Sequence, residues 1–267
     1  MRRIEYDPSW PESWRLSHRF DEIEMWGSRA NLGHGYAYAT RYEHVMRAVR
    51  ALAAPPARIL DFAGGQGNFA IGFAEQGYSV VWNDVREDLA GYVRLKDESG
   101  HIVYRPGNLF DFGAAGEFDI VFAGEVIEHV AHPDELLRKL ASLVKRDGHV
   151  VITTPNGRYF RNNLPRFSDC PDPSVYEAIQ FKPDVDGHIF LLHPDEIHAL
   201  AAQAGLVVEK IESYANPLTA GHVKLGHVLP FLPAAFVRIA ERLTSNVKFA
   251  DRIHTDLLVV MRRQSPL

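Results

Sequence analysis

Arg58-Ile59-Leu60-Asp61-Phe62-Ala63-Gly64-Gly65-Gln66-Gly67-Asn68-Phe69 reads as a short buried strand, a tight glycine turn and the first residues of a helix. Three glycines within four residues let backbone come close to a ligand, because no Cβ stands in the way. The amides that open the helix point into the same space. Asp61 lies at the end of the strand. Asp84 ends the next apolar run, Tyr78-Ser79-Val80-Val81-Trp82-Asn83-Asp84. A second acid at that place accepts hydrogen bonds from ribose hydroxyls in nucleoside-cofactor sites. The turn alone does not choose the cofactor. Gly65-x-Gly67-x-x-Ala70, with an acid about 20 residues on, also satisfies a dinucleotide pattern.

Outward from this turn, strands and helices alternate. Ile59 to Phe62 is the first strand, and Asn68 to Gln76 is a helix stopped by Gly77. Ser79 to Asn83 is the second strand, followed by a helix over Arg86 to Lys96. His101 to Tyr104 and Phe118 to Ala123 are the third and fourth strands. Asp134 to Val144 is amphipathic, with Leu136, Leu137, Leu140, Leu143 and Val144 facing inward and two acids at its positive end. Asp147-Gly148 turns into a fifth strand, His149 to Thr153. Leu206 to Ile211 and Asp256 to Met261 are the last two. This alternation predicts an α/β fold, a parallel sheet with helices on both faces, with ligands at the carboxyl ends of the strands. Asp61, Asp84 and Glu125 all fall there.

Residues 1–55 precede this pattern and are rich in aromatics. Tyr36 to Leu52 has a helical stripe ended by Pro55-Pro56, which suits a cover for the sheet or a lid over the site. Residues 56–267 then form the main domain, interrupted twice. The stretch from about 155 to 187 is long and carries Pro, Asn, Arg and aromatic residues, as binding loops do. The stretch 216–252 contains Val228-Leu229-Pro230-Phe231-Leu232-Pro233 and a helical pattern over 234–243. It suits a lid, a packing element or a homodimer face.

Composition sets further bounds. The 267 residues carry a formal charge of −5, which leaves no electrostatic footprint for nucleic acid. The single cysteine, Cys170, excludes an internal disulfide framework and fits a reducing compartment. The N-terminus has no apolar signal core, and no apolar run is long enough to span a bilayer. The expected location is the cytoplasm.

The chemistry is carried by Ala123-Gly124-Glu125-Val126-Ile127-Glu128-His129-Val130. On a helical turn starting here, Glu125, Glu128 and His129 share one face. Two carboxylates and an imidazole at a strand tip can hold a divalent cation. His188 is a candidate fourth ligand, just before a helix capped by His193-Pro194-Asp195-Glu196. The plain alternative is that Glu125 touches cofactor, Glu128 is solvated and His129 is a structural histidine.

Taken together, Ile59-Leu60-Asp61-x-Ala63-Gly64-Gly65-x-Gly67, Asp84, Phe118-Asp119-Ile120-Val121, Glu125 to Val130, Leu143-x-Lys145-x-x-Gly148 and Thr154-Pro155-Asn156 closely resemble the class I S-adenosylmethionine-dependent methyltransferases. The resemblance covers about residues 58–211 and also fits the last strand. It implies a doubly wound, mostly parallel seven-stranded sheet with an antiparallel last strand. It also implies S-adenosylmethionine as cofactor, in place of a dinucleotide. By position, Asp61, Ala63, Gly64, Gly65 and Gly67 would line the methionine and ribose part, and Asp84 the ribose hydroxyls. Asn108 and Leu109 would lie near the adenine, and Glu125 would also be a cofactor contact. Ala63 replaces the usual first glycine of the turn, and Asn108 the usual Asp.

The Glu-x-x-Glu-His run is similar to that of ubiquinone-pathway O-methyltransferases. It also resembles the 2′-O-methyltransferases that act on small-RNA 3′ ends. In the latter, this run and a later histidine, placed like His188, bind a divalent metal such as Mg²⁺. The resemblance therefore implies Glu125, Glu128, His129 and His188 as metal ligands. Without a metal, His129, His188 or His193 would be the base. The expected reaction is O-methylation of a small hydroxylated acceptor, sugar or phenol-like. The alternatives are methylation of RNA or an amine, or cofactor binding without catalysis.

Overall fold

The computed structural model describes residues 1–111, 115–180, 187–217, 219, 239 and 250–264. Seven strands, β1 (Arg58–Phe62), β2 (Ser79–Asn83), β3 (Ile102–Tyr104), β4 (Phe118–Gly124), β5 (Val144–Pro155), β6 (Leu206–Tyr214) and β7 (Asp256–Arg263), form one sheet. Their order is β3-β2-β1-β4-β5-β7-β6. β1 with β2, β2 with β3, and β4 with β5 run parallel, whereas β7 is antiparallel to both β5 and β6. This is the expected mostly parallel sheet with an antiparallel last strand. The helices among the described residues include α1 (Glu12–Glu24), α2 (Leu32–Leu52), α3 (Asn68–Glu75), α4 (Leu89–Lys96), α5 (Pro133–Leu143) and α6 (Pro194–Gln203). No helix among the described residues is long and apolar enough to cross a membrane. The insertion expected over 216–252, with its apolar 228–243 stretch, lies almost wholly outside the described residues, as does Phe181.

The chain divides into two compact units, Met1–Gly113 with Ala215–Val247, and Ala114–Tyr214 with Lys248–Leu267. In the first, the aromatic N-terminus packs on the helices that follow the strands. Val45, Met46 and Val49 of α2 are buried, each contributing about 1.5–3 kcal/mol. Tyr38 and Tyr42 lie 5.8 and 5.3 Å from the Phe69 ring of α3. Trp14 of α1 sits where a Cβ on Gly91 would be, and its indole N–H donates to Asp88 O at 3.0 Å. The helix expected from Arg86 begins only at Leu89. Arg86 is drawn back instead: its backbone N–H and its guanidinium both donate to Asp84.

In the second unit, Leu136, Leu137, Leu140 and Leu143 of α5 are buried as their spacing predicts. β5 is longer than expected and begins at Val144. Asp147-Gly148 is not a turn before the strand but an irregularity within it. The register with β4 jumps from Phe118↔Val144 to Ile120↔His149, with Asp147 in the left-handed region at φ 60°. The loop after β5 is folded onto Phe190, which meets the rings of Phe167 and Tyr176 at 5.3 and 5.2 Å.

Candidate active site

In the first unit the glycine turn is tied at several points. Gly64 N–H donates to Asn83 O and Gly65 N–H to the Asp84 carboxylate, at 2.8 and 2.9 Å. Gly67 has φ 76°, and a Cβ there would lie 2.4 Å from Val93 Cγ1. A Cβ on Gly64 would lie 2.7 Å from Trp82 and 2.8 Å from Asp61 Oδ2. Gly67 therefore requires glycine by its φ and by the space Val93 takes, and Gly64 by the close approach of the Trp82 and Asp61 side chains. At Gly65 the nearest atom to an added Cβ is Arg86 Nη2, at 3.5 Å, so this side of the turn is open. Ala63 takes φ 51° despite its side chain.

Asp61 is buried, and its Oδ2 accepts from Ala70 N–H in the first turn of α3 at 2.9 Å. Burial raises its pKa to about 8, with the Ala70 N–H opposing and Asp84 adding to the rise. Asp84, also buried, accepts from Gly65 N–H and from Arg86. Asn108 is exposed and spends its side-chain oxygen on Phe110 N–H at 3.0 Å. The Leu109 side chain lies outside what is described.

Two contacts that sequence patterns did not suggest join α1 to this turn. Gln66 donates to Glu24 at 2.7 Å, and Asn68 donates to the buried Asp21 at 2.8 Å. Asp21 also accepts from Tyr92 and from the fully buried Lys96, both at 2.6 Å. A charged residue inside an amphipathic pattern gives no sign of its partner, so this cluster was not legible.

The acid–histidine cluster lies in the second unit. Glu128, His129 and His188 each offer a ligand atom within 4.8 Å of the others. The His129 and His188 rings are 4.8 Å apart, and His129 Nε2 is 3.9 Å from Glu128 Oε1. Three bonds build this grouping. Thr154 Oγ1 at the tip of β5 donates to Glu128 Oε2 at 3.0 Å. Ile189 N–H donates to Glu128 O at 2.7 Å and so brings His188 alongside. His129 N–H donates to Val126 O at 3.0 Å, closing the 3₁₀ turn Ile127–His129.

Glu125 is not in this group. The helical face expected for Glu125, Glu128 and His129 does not form, because Glu125 sits at φ 55° and its N–H is taken by Thr153 O. His193 is elsewhere too. It precedes α6, where its own N–H donates to Glu196 at 2.9 Å. Burial lowers its pKa, and nearby Arg166 lowers it further.

Comparison with known proteins supplies the remaining evidence. Residues 36–211 match a family described as a methyltransferase domain. The chain is 31% identical over 167 residues to the ubiquinone biosynthesis O-methyltransferase of Aromatoleum aromaticum, covering 61% of this chain and 69% of that one. The enzyme of the same name from Bordetella avium is 30% identical over 167 residues, covering 61% and 67%. Among solved structures, an S-adenosylmethionine dependent methyltransferase from Mesorhizobium loti matches with TM-score 0.54 and 18% identity, over 81% of this chain and 96% of that one. The cyclase SpnF matches with TM-score 0.58 and 14% identity, over 97% and 98%. Likeness at this level shows the fold, and the fold hosts more than one chemistry.

Proposed function

The chain belongs to the methyltransferase-domain family and is an S-adenosylmethionine-dependent methyltransferase, and on that premise we propose that it methylates a hydroxyl oxygen of a small molecule. The observation that carries this reading is the grouping of Glu128, His129 and His188. Two relatives are named O-methyltransferases, which agrees with it.

The residues of the first unit suit the cofactor. Gly64 and Gly67 cannot carry a side chain, Gly65 leaves its side open, and Asp84 is an acceptor at the end of β2. In this reading the turn from Ala63 to Gly67, with Asp61 and Asp84, binds the cofactor. When bound, S-adenosylmethionine supplies a methyl group on sulfonium, which is already a strong electrophile. What remains for the protein is to place the acceptor oxygen in line, about 3 Å away, and to take its proton.

Glu128, His129 and His188 do this in the proposal. One carboxylate and two imidazoles form a donor set for a divalent cation such as Mn²⁺ or Zn²⁺, with Mg²⁺ less favoured by the nitrogens. A cation held there would lower the hydroxyl's pKa and fix its position. Thr154 orients the Glu128 carboxylate, and the Ile189–Glu128 backbone bond fixes His188. The reaction belongs in the cytoplasm, which fits the single free cysteine.

The test is methyl transfer to hydroxylated acceptors with and without chelator, with Mg²⁺, Mn²⁺ and Zn²⁺ added back. Loss of activity in chelator and recovery with one of these ions is expected. Full activity in chelator would refute the metal and leave His129 or His188 as the base.

A further inference from the structure

We propose that a polar cavity in the second unit, walled by arginines from two chain segments, is an oxyanion subsite that holds a carboxylate or phosphate group of the acceptor. This rests on the acceptor reading above and narrows it to anionic hydroxylated compounds.

The cavity has a volume of about 610 Å³, and its walls include Arg158, Tyr159, Asn162, Arg166, His193 and Arg252. Arg158 and Arg166 come from the loop after β5, whereas Arg252 comes from the one-turn helix Ala250–Ile253 before β7. They are distant in sequence and are held together by a buried side chain. Asn156 donates to Asp251 O at 2.6 Å and to His254 O at 2.8 Å, and its oxygen accepts from Arg158 N–H at 3.0 Å. Phe160 N–H donates to Arg252 O at 3.1 Å. The other wall is drawn in by Gly157, whose N–H donates to Leu192 O. A Cβ on Gly157 would lie 2.2 Å from Leu191 O and 2.7 Å from the His193 ring. Thr154-Pro155-Asn156 thus serves both ends: Thr154 orients Glu128, and Asn156 assembles the arginines.

The arginines are unequally paired. Arg158 is paired with Asp251 at 3.0 Å, and Arg166 with Asp195. Arg166 Nε also lies 3.8 Å from Glu196, which accepts from Ser168 N–H and His193 N–H as well. Among the described residues, no carboxylate pairs with Arg252. Its guanidinium lines the cavity with the Tyr159 hydroxyl, the Asn162 amide and the Asp195 carboxylate that Arg166 holds. Arginine forks match the two oxygens of a carboxylate or phosphate, which a lone ammonium does not. The two existing pairs are solvent-exposed and worth about 0–1 kcal/mol each, so an incoming oxyanion can exchange with them.

A short segment links the cavity to the acid–histidine cluster. His193 follows His188 by five residues. Five extended residues span at most about 18 Å. The backbones at His188 and His193 are therefore no farther apart than that. Hydroxylated aromatic acids and sugar phosphates carry both groups.

The test is calorimetric titration of the cofactor-free protein with inorganic phosphate and, separately, with acetate, at constant ionic strength. The comparison is with Arg252→Gln and Arg252→Lys, two variants at one exposed position whose melting temperatures check the fold. Saturable binding of one probe by wild type, weakened at least tenfold in Arg252→Gln and not restored by Arg252→Lys, is expected. Which probe binds tells phosphate from carboxylate. Absence of saturable binding by both probes, or equal binding by Arg252→Gln, overturns the proposal. The readout needs no turnover, so failure here is separate from failure to find methyl transfer.

Discussion

Replacing Asp61 by Asn should make the cofactor-free protein less stable in acid and more stable in alkali. The Asp61 carboxyl is buried, and burial raises its pKa from the ordinary 3.8 to about 8. A folded-state value above the unfolded one means the contribution is fully present below pH 3.8 and is lost as pH rises to about 8. In that window the wild type loses about 1.4 kcal/mol per pH unit from this group, or about 6 kcal/mol in all. Asn can still accept from Ala70 N–H through its oxygen. Its amide N–H groups then need partners where a carboxyl stood, at a cost of about 1–3 kcal/mol. Setting that cost against the slope places the crossing of the two stability curves near pH 5, with the variant ahead by about 3–5 kcal/mol at pH 9. Urea unfolding of both proteins from pH 4.5 to 9 measures this. Parallel stability curves across the range would refute the reasoning, because they would mean that the carboxyl ionises normally in the folded state.

Other positions give sharper local outcomes. Gly67→Ala places a methyl against Val93 at a positive φ, and should cost at least about 2 kcal/mol together with cofactor binding, read by denaturant unfolding and calorimetry. Lys96→Met leaves the Asp21 carboxylate buried without its cation. It should lower stability by about 3–5 kcal/mol, and Asp21→Leu in the same chain should recover part of that loss. Thr154→Val removes the bond that orients Glu128. It should reduce kcat about tenfold or more while cofactor affinity stays within about twofold, since tilting a carboxylate that positions a reacting group costs rate more than binding.

The sheet was legible because its strands are short apolar runs separated by turns. β2 was expected at Ser79 to Asn83 and lies there. The residues that escaped are those whose backbone departs from a periodic pattern. Glu125 shares a helical spacing with Glu128 and His129, but spacing carries no information about φ, and at 55° it leaves the turn. Asp147-Gly148 looks like a turn dipeptide, yet it is absorbed into β5 because Gly148 lets Asp119 O and Lys145 O approach to 3.0 Å of where a Cβ would be. His188 was legible as a candidate fourth ligand from the sequence and again through the family resemblance, and its placement beside His129 comes from one backbone bond to Glu128 O. The Lys96–Asp21 pair and the gathering of Arg252 with Arg158 are long-range products of packing, which no local pattern encodes.

The way the acid–histidine cluster is assembled bears on what a cation would do there. Its three side chains are set by Thr154 Oγ1, by Ile189 N–H and by the 3₁₀ turn at Ile127–His129, all of them contacts within the protein. None of these bonds needs an ion. In small structural metal sites the ligands come together only when the metal binds, so removing it unfolds the domain. Here the strand tip of β5 and the segment through Ile189 already hold the geometry, and the surrounding residues Val126, Ile127 and Val130 are buried. An ion at this cluster would therefore be coupled to reactivity far more than to folding. Chelation and refolding would be independent events, and activity removed by chelator would return on adding the ion back without any unfolding step.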